Sequence, residues 1–165
     1  MIDRATTEQV HAVALRMRDR DFKEFRATSF HDTREALADD LAERFGGRDD
    51  VLCVAKAGEP VCIGGALEMW PGVLTLMLFA TPEFPSVGLE VTRFLKTELF
   101  PRHEAAGAHR IQAVSLEGYS EVHDWLASLG LEREGVMRRF GKRGEDFVQF
   151  GRVVGAGALD TGKRL

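Results

Sequence analysis

Apolar residues in the first third of the chain recur every three or four positions, then alternate, then return to helical spacing. Val10, Val13, Ala14 and Met17 make one helical face. Thr6-Thr7-Glu8-Gln9 in front of them fits a capping box, with Thr6 as N-cap and Gln9 reaching back. That helix ends near the charged run from Arg16 to Asp21, and Ile2-Asp3-Arg4-Ala5 before it reads as a short strand. A second helical region starts around Asp21. Asp32-Thr33-Arg34-Glu35 is a further cap signal, and Leu37, Leu41 and Phe45 line a face until Gly46-Gly47 stops it.

From Val51 the period becomes that of a strand. Val51 to Ala55 is apolar, Gly58-Glu59-Pro60 turns the chain, and Val61 to Trp70 returns. Pro71-Gly72 turns it again into Val73 to Ala80, a continuous apolar run expected of a central strand buried on both faces. Thr81 to Ser86 holds two prolines and is a loop. Val87, Val91, Phe94, Leu95 and Leu99 then form a helical stripe that Pro101 ends or kinks. Gly107 precedes a strand from His109 to Ser115. Ser120 is placed to cap a helix carrying Val122, Trp125, Leu126 and Leu129, and Gly130 ends it. Two strand-like runs follow, Leu131 to Phe140 and Glu145 to Val154, joined by Gly141-Lys142-Arg143-Gly144. Residues 1–154 read as one domain, and 155–165 as a flexible tail of small and polar residues.

With 165 residues, 44% of them hydrophobic, the chain can bury a real core. A net charge of -4 argues against a general nucleic-acid or anionic-membrane binder. No apolar run approaches the length of a bilayer span, and the N-terminus lacks a signal-peptide core, which points to the cytoplasm. Cys53 and Cys62 fall on adjacent predicted strands. They read either as a redox pair or, the favoured reading, as small buried residues in a reducing compartment. With five scattered histidines and no C-x-x-C spacing, no metal motif is present.

The strand-loop-helix around Thr81 to Leu99, the helix ending in Leu129-Gly130-Leu131, and the closing hairpin resemble the GCN5-related N-acetyltransferase (GNAT) superfamily. The resemblance implies an α/β (α+β) acyl-CoA N-acyltransferase fold: a mixed, mostly antiparallel central sheet flanked by helices, with acetyl-CoA bound where the fourth and fifth strands splay apart. Arg93-Phe94-Leu95-Lys96, Trp125 to Gly130 and Gly144 to Phe150 are similar to a divergent branch of it, the internal virion protein A type of short-tailed bacteriophages.

The superfamily's diphosphate loop, Arg/Gln-x-x-Gly-x-Gly/Ala, corresponds to the stretch from Thr81 to Gly88. That stretch has one glycine, no Arg or Gln, two prolines without N–H donors, and Glu83. Phe79, Thr81, Ser86, Val87 and Gly88 are the implied cofactor contacts, with Ser86 capping the helix that follows. The tyrosine that many members use as general acid is replaced by Leu126, so Tyr119 becomes the substitute acid, or an ordinary helix-start residue. Glu68 and Glu117 are the candidate bases, or surface carboxylates at strand ends. His123, one position off the apolar stripe, is expected in solvent. Arg138, Arg139, Lys142 and Arg143 gather at the last hairpin, for an anionic partner or as a solvated turn.

Two functions follow from these readings. The favoured one is a phage- or prophage-encoded protein of little or no catalysis, cytoplasmic or virion-associated, that contacts other phage structural proteins during particle assembly. The alternative is an acetyl-CoA-dependent N-acetyltransferase acting on a small-molecule or protein amine.

Overall fold

The computed structural model describes residues 1–155, so nearly all of the expected tail lies outside the described residues. Seven strands, β1 (Ile2–Arg4), β2 (Val51–Lys56), β3 (Glu59–Trp70), β4 (Val73–Ala80), β5 (Arg110–Leu116), β6 (Glu132–Met137) and β7 (Phe147–Val153), form one sheet in the order β1-β2-β3-β4-β5-β7-β6. Every pairing is antiparallel except β4 with β5. The helices are α1 (Thr7–Leu15), α2 (Asp19–Ala27), α3 (Arg34–Phe45), α4 (Gly88–Phe94), α5 (Phe100–Ala105) and α6 (Ser120–Ser128). This is the mixed, mostly antiparallel sheet with flanking helices that the sequence implied.

Local signals set most of the boundaries. Thr6 accepts from Gln9 N at 3.1 Å while Gln9 Oε1 accepts from Thr6 N at 3.0 Å, closing the expected capping box. Thr33 caps α3 through Ala36 N. Gly130, at φ +86, ends α6 with Gly130 N bonded to Ala127 O and Leu131 N to Leu126 O.

Four expectations shift. The cap of α6 is Tyr119 rather than Ser120, because Gly118, at φ +89, turns the chain one residue earlier. Pro101 does not end its helix. A wide π turn over Leu95–Leu99 comes just before it and absorbs the missing N–H, so the chain runs on into α5. The last hairpin turns over residues 138–146, where Asp146 accepts from Arg139 N at 2.8 Å and Arg139 itself takes φ +55. Finally, β4 is not buried along its length: Thr75 to Leu78 are only half-buried.

α1 and α3 cover one face of the sheet, packing Val10, Val13, Leu37 and Leu41 on Val51, Cys53, Ile63 and Phe79. α4, α5 and α6 cover the other, packing Val91, Leu95, Phe100, Leu126 and Leu129 on Cys62, Leu74, Ile111 and Val148. Each side chain buried at this depth contributes about 1.5–3 kcal/mol. Cys53 and Cys62 are both free and face opposite sides of the sheet, because Cys53 sits across from Ile63 and Cys62 is the next residue along β3. They cannot pair in this fold.

Candidate functional site

β4 and β5 run side by side for only three residues each, Val73 to Thr75 against Arg110 to Gln112. The last rung is braced by side chains: Gln112 Nε2 donates to Thr75 Oγ1 at 3.1 Å, and Arg110 Nε donates to Gln112 Oε1 while its guanidinium pairs with Glu134. Beyond that rung the strands diverge. The gap is a mostly apolar cleft of about 510 Å³, lined by Leu76 and Leu78 of β4, Ala113 and Val114 of β5, Phe94 and Trp125 on one face and Phe25 and Leu67 on the other. The Trp125 indole is fixed by donating to Thr92 Oγ1 at 2.9 Å. The half-buried middle of β4 is the wall of this cleft.

The open end is bridged by α2. Asp19 and Asp21 lie in its first turn and Arg26 in its last, which suits the helix dipole. Phe25 anchors it, meeting Phe79 edge-on with ring centres 5.3 Å apart. On the β4 lip, Arg18 N donates to Ala80 O and Asp21 accepts from Ala80 N, both at 2.9 Å. The Arg18 guanidinium holds Asp21 through two bonds of 2.9 and 3.2 Å. On the β5 lip, Glu24 accepts from Leu116 N at 3.3 Å and from Ser115 Oγ at 3.4 Å.

Arg18 pairs with Asp21 and Arg20 with Glu121, so Glu24 forms no ion pair among the described residues. Burial therefore dominates and lifts its carboxyl from 4.5 to about 7; the Leu116 N–H pulls the other way, and the nearby Asp21 charge adds to the rise. A carboxyl near neutrality inside an apolar cleft can take a proton from an amine and release it again at physiological pH.

The residues expected to carry chemistry are scattered relative to this cleft. Glu68 is exposed on β3 opposite Leu74, level with the closed end, and does not line the cleft. Glu117 is exposed just past β5, 3.6 Å from Arg133, in a separate shallow depression that Tyr119 shares. The Tyr119 hydroxyl donates to Arg20 O at 3.2 Å, and burial raises its pKa, so the phenol tethers α2. Leu126, at the position where the acid was missing, is core. His123 is half-buried rather than in solvent, bonded to Leu116 O at 3.1 Å, because the end of β5 offers it an acceptor. The hairpin cations clamp the α2–α3 loop: Lys142 Nζ donates to Ser29 O and His31 O, and both Lys142 and Arg143 pair with Asp32.

Phe79 is fully buried on the α1/α3 face, turned away from the loop it was expected to serve. Thr81 is buried, with its N–H donated to Val61 O, and Val87 is buried against α4's core. Ser86 is exposed and caps nothing: its N–H and hydroxyl both donate to Glu83 O. Gly88 opens α4, where no side chain caps the helix.

No family model and no curated protein matches the chain. Solved structures do match. A GNAT-family acetyltransferase from Bacillus anthracis superposes with a TM-score of 0.69 at 16% identity, over 92% of this chain and 93% of its own. Ribosomal-protein-alanine N-acetyltransferase from Brucella melitensis gives 0.64 at 20%, over 93% and 99%. The ribosomal-protein-S18-alanine N-acetyltransferase from Escherichia coli gives 0.67 at 13%, over 99% of both chains. The fold is the GNAT acyltransferase fold. The splayed β4/β5 cleft is the part of that fold in which the acyl donor's fit can be tested against the residues present.

The apolar, open-ended cleft suits an acyl-pantetheine arm. The loop beside it does not suit the CoA diphosphate. The amides of Phe84, Ser86 and Val87 are donated to Thr81 O, Glu83 O and Phe84 O, and Pro82 and Pro85 have none to give. The amides of Gly88, Leu89 and Glu90 at the uncapped start of α4 remain, with the carboxylates of Glu83 and Glu90 beside them. Among the described residues no helix is long and apolar enough to cross a membrane, and no cluster of His, Cys, Asp and Glu is placed to hold a metal ion.

Proposed function

We propose that this protein is an N-acyltransferase that moves an acyl group from a thioester to an amine in the β4/β5 cleft. The observation that carries the reading is Glu24: a carboxyl with no ion-pair partner among the described residues, lifted to about 7, at the mouth of an apolar cleft. In the step, the amine nitrogen bonds to the acyl carbon, the carbon–sulfur bond breaks, the amine proton passes to Glu24, and Glu24 returns it through water at the mouth to the departing thiolate, which leaves as a thiol. Asp21, locked on Arg18 and Ala80 N, fixes α2 so that Glu24 stays at the opposite lip. Tyr119 acts by holding Arg20 O, and Glu68 and Glu117 stand outside the reacting volume.

The test is thiol release from acetyl-CoA and from acetyl-pantetheine in the presence of a panel of amines that includes N-terminal peptides. Amine-dependent release by the wild type, lowered about 10²–10⁴-fold in Glu24→Gln, is expected. Release no faster than without protein, for every amine and both thioesters, overturns the reading.

A second reading is supported by the loop and by the surface. It is a protein-contact role in building a bacteriophage particle, with the fold retained and its chemistry lost. The amides of Phe84, Ser86 and Val87 are spent within the loop, and Phe30, Trp70 and Leu89 stand exposed at 103%, 58% and 83%. Co-purification with capsid or internal core proteins from an infected host, with no thiol release, would favour it.

A further inference from the structure

We infer that the cleft recognises its acyl donor through the acyl group and the pantetheine arm alone, and draws no affinity from a nucleotide diphosphate. The inference deepens the acyl-transfer reading and rests on it.

The lips of the cleft carry the positive half of the argument. Ala80 on β4 and Leu116 on β5 turn their main-chain groups into the gap, since Asp21 and Arg18 reach Ala80 there and Glu24 reaches Leu116. Strand alternation turns those of Leu78 and Val114 the same way, further inside. Both strands pair with other neighbours only along their outer edges at this depth. A ligand bearing secondary amides on a thin apolar chain can therefore add itself inside the lips, between Leu78 and Val114, as an extra strand would.

The loop carries the negative half. A diphosphate needs converging N–H donors or a cation, and the turn over Phe84–Ser86 has consumed its amides. Two arginines approach the loop, and both are engaged. Arg18 stacks 4.8 Å over the Phe84 ring while bound to Asp21, and Arg16 donates to Ala12 O and Pro60 O. Glu83 and Glu90 oppose any phosphate reaching the remaining amides of α4. Between them, the β4 lip at Ala80 is closed by Arg18 and Asp21, so the loop and the cleft are separated by the chain's own ion pair.

Calorimetric titration of the full chain with acetyl-pantetheine, acetyl-CoA and phospho-ADP separates the parts of the donor. The two thioesters should bind with dissociation constants within about threefold of each other, and phospho-ADP should give no heat at millimolar concentration. Glu83→Gln combined with Glu90→Gln should tighten acetyl-CoA severalfold and leave acetyl-pantetheine unchanged. Acetyl-CoA binding about tenfold or more tightly than acetyl-pantetheine, or phospho-ADP binding by itself, overturns the inference while leaving acyl transfer standing. Binding of neither thioester overturns both.

Discussion

The two lips of the cleft use the same device in different surroundings. Each splayed strand offers a lone amide at the open end, Ala80 N on β4 and Leu116 N on β5, and α2 answers each with a carboxylate, Asp21 and Glu24, three residues apart. Asp21 is gripped by the Arg18 guanidinium; Glu24 accepts from the neutral donors Leu116 N and Ser115 Oγ and is held largely out of water. The same chemical group is thus a fixed strut on one lip and a proton holder on the other. Environment, not residue type, assigns the roles.

The comparison breaks most severely at the strut. Asp21→Ala leaves the Arg18 guanidinium unpaired in a side chain only 15% exposed, and the buried Ala80 N–H without a partner. A loss of about 3–5 kcal/mol in urea unfolding is expected. A loss below about 1 kcal/mol would mean that α2 is not fastened there.

The proton holder shows itself in pH. Because Glu24 is lifted from 4.5 to about 7, the folded chain binds more protons than the unfolded one across that window. Its contribution to stability is complete below pH 4.5 and is lost as the pH rises through about 7, on the order of 2 kcal/mol after allowing for water at the mouth. Glu24→Gln should flatten that part of the stability curve and be more stable than the wild type above pH 7. An unchanged slope would place Glu24 in solvent.

Tyr119→Phe is the mildest test. Removing the bond to Arg20 O should cost about 1 kcal/mol and leave thiol release nearly intact. A drop in turnover of about a hundredfold with unchanged stability would instead make the phenol an acid in the reaction.

What the sequence could reveal divides along the same line. The helices, caps and turns were legible because their signals are local: Thr6 with Gln9, Thr33, and Gly130 after Leu126 and Leu129 act within one or two turns of themselves. The cleft was legible only as an expectation of the fold, since nothing in the apolar run from Val73 to Ala80 marks Thr75 as the last paired residue. Glu24 did not stand out. In sequence it is one acid in a strongly charged segment, and its perturbation arises only because α2 is laid across two strands some sixty and ninety residues away. Glu68 and Glu117 stood out because the resembled fold carries a base on its strands, but both lie at strand ends away from the splay and are exposed. The spacing of Asp21, Glu24 and Phe25 was the one available hint, an acidic pair beside an anchoring ring on a helix that must cover something.

The protonation of Glu24 can be read directly from its side-chain carboxyl carbon by NMR, with the resonance assigned by its disappearance in Glu24→Gln. A titration midpoint near 7 is predicted. A midpoint at the ordinary glutamate value of 4.5 would leave the cleft without a group able to accept the amine proton at neutral pH, and would contradict the account.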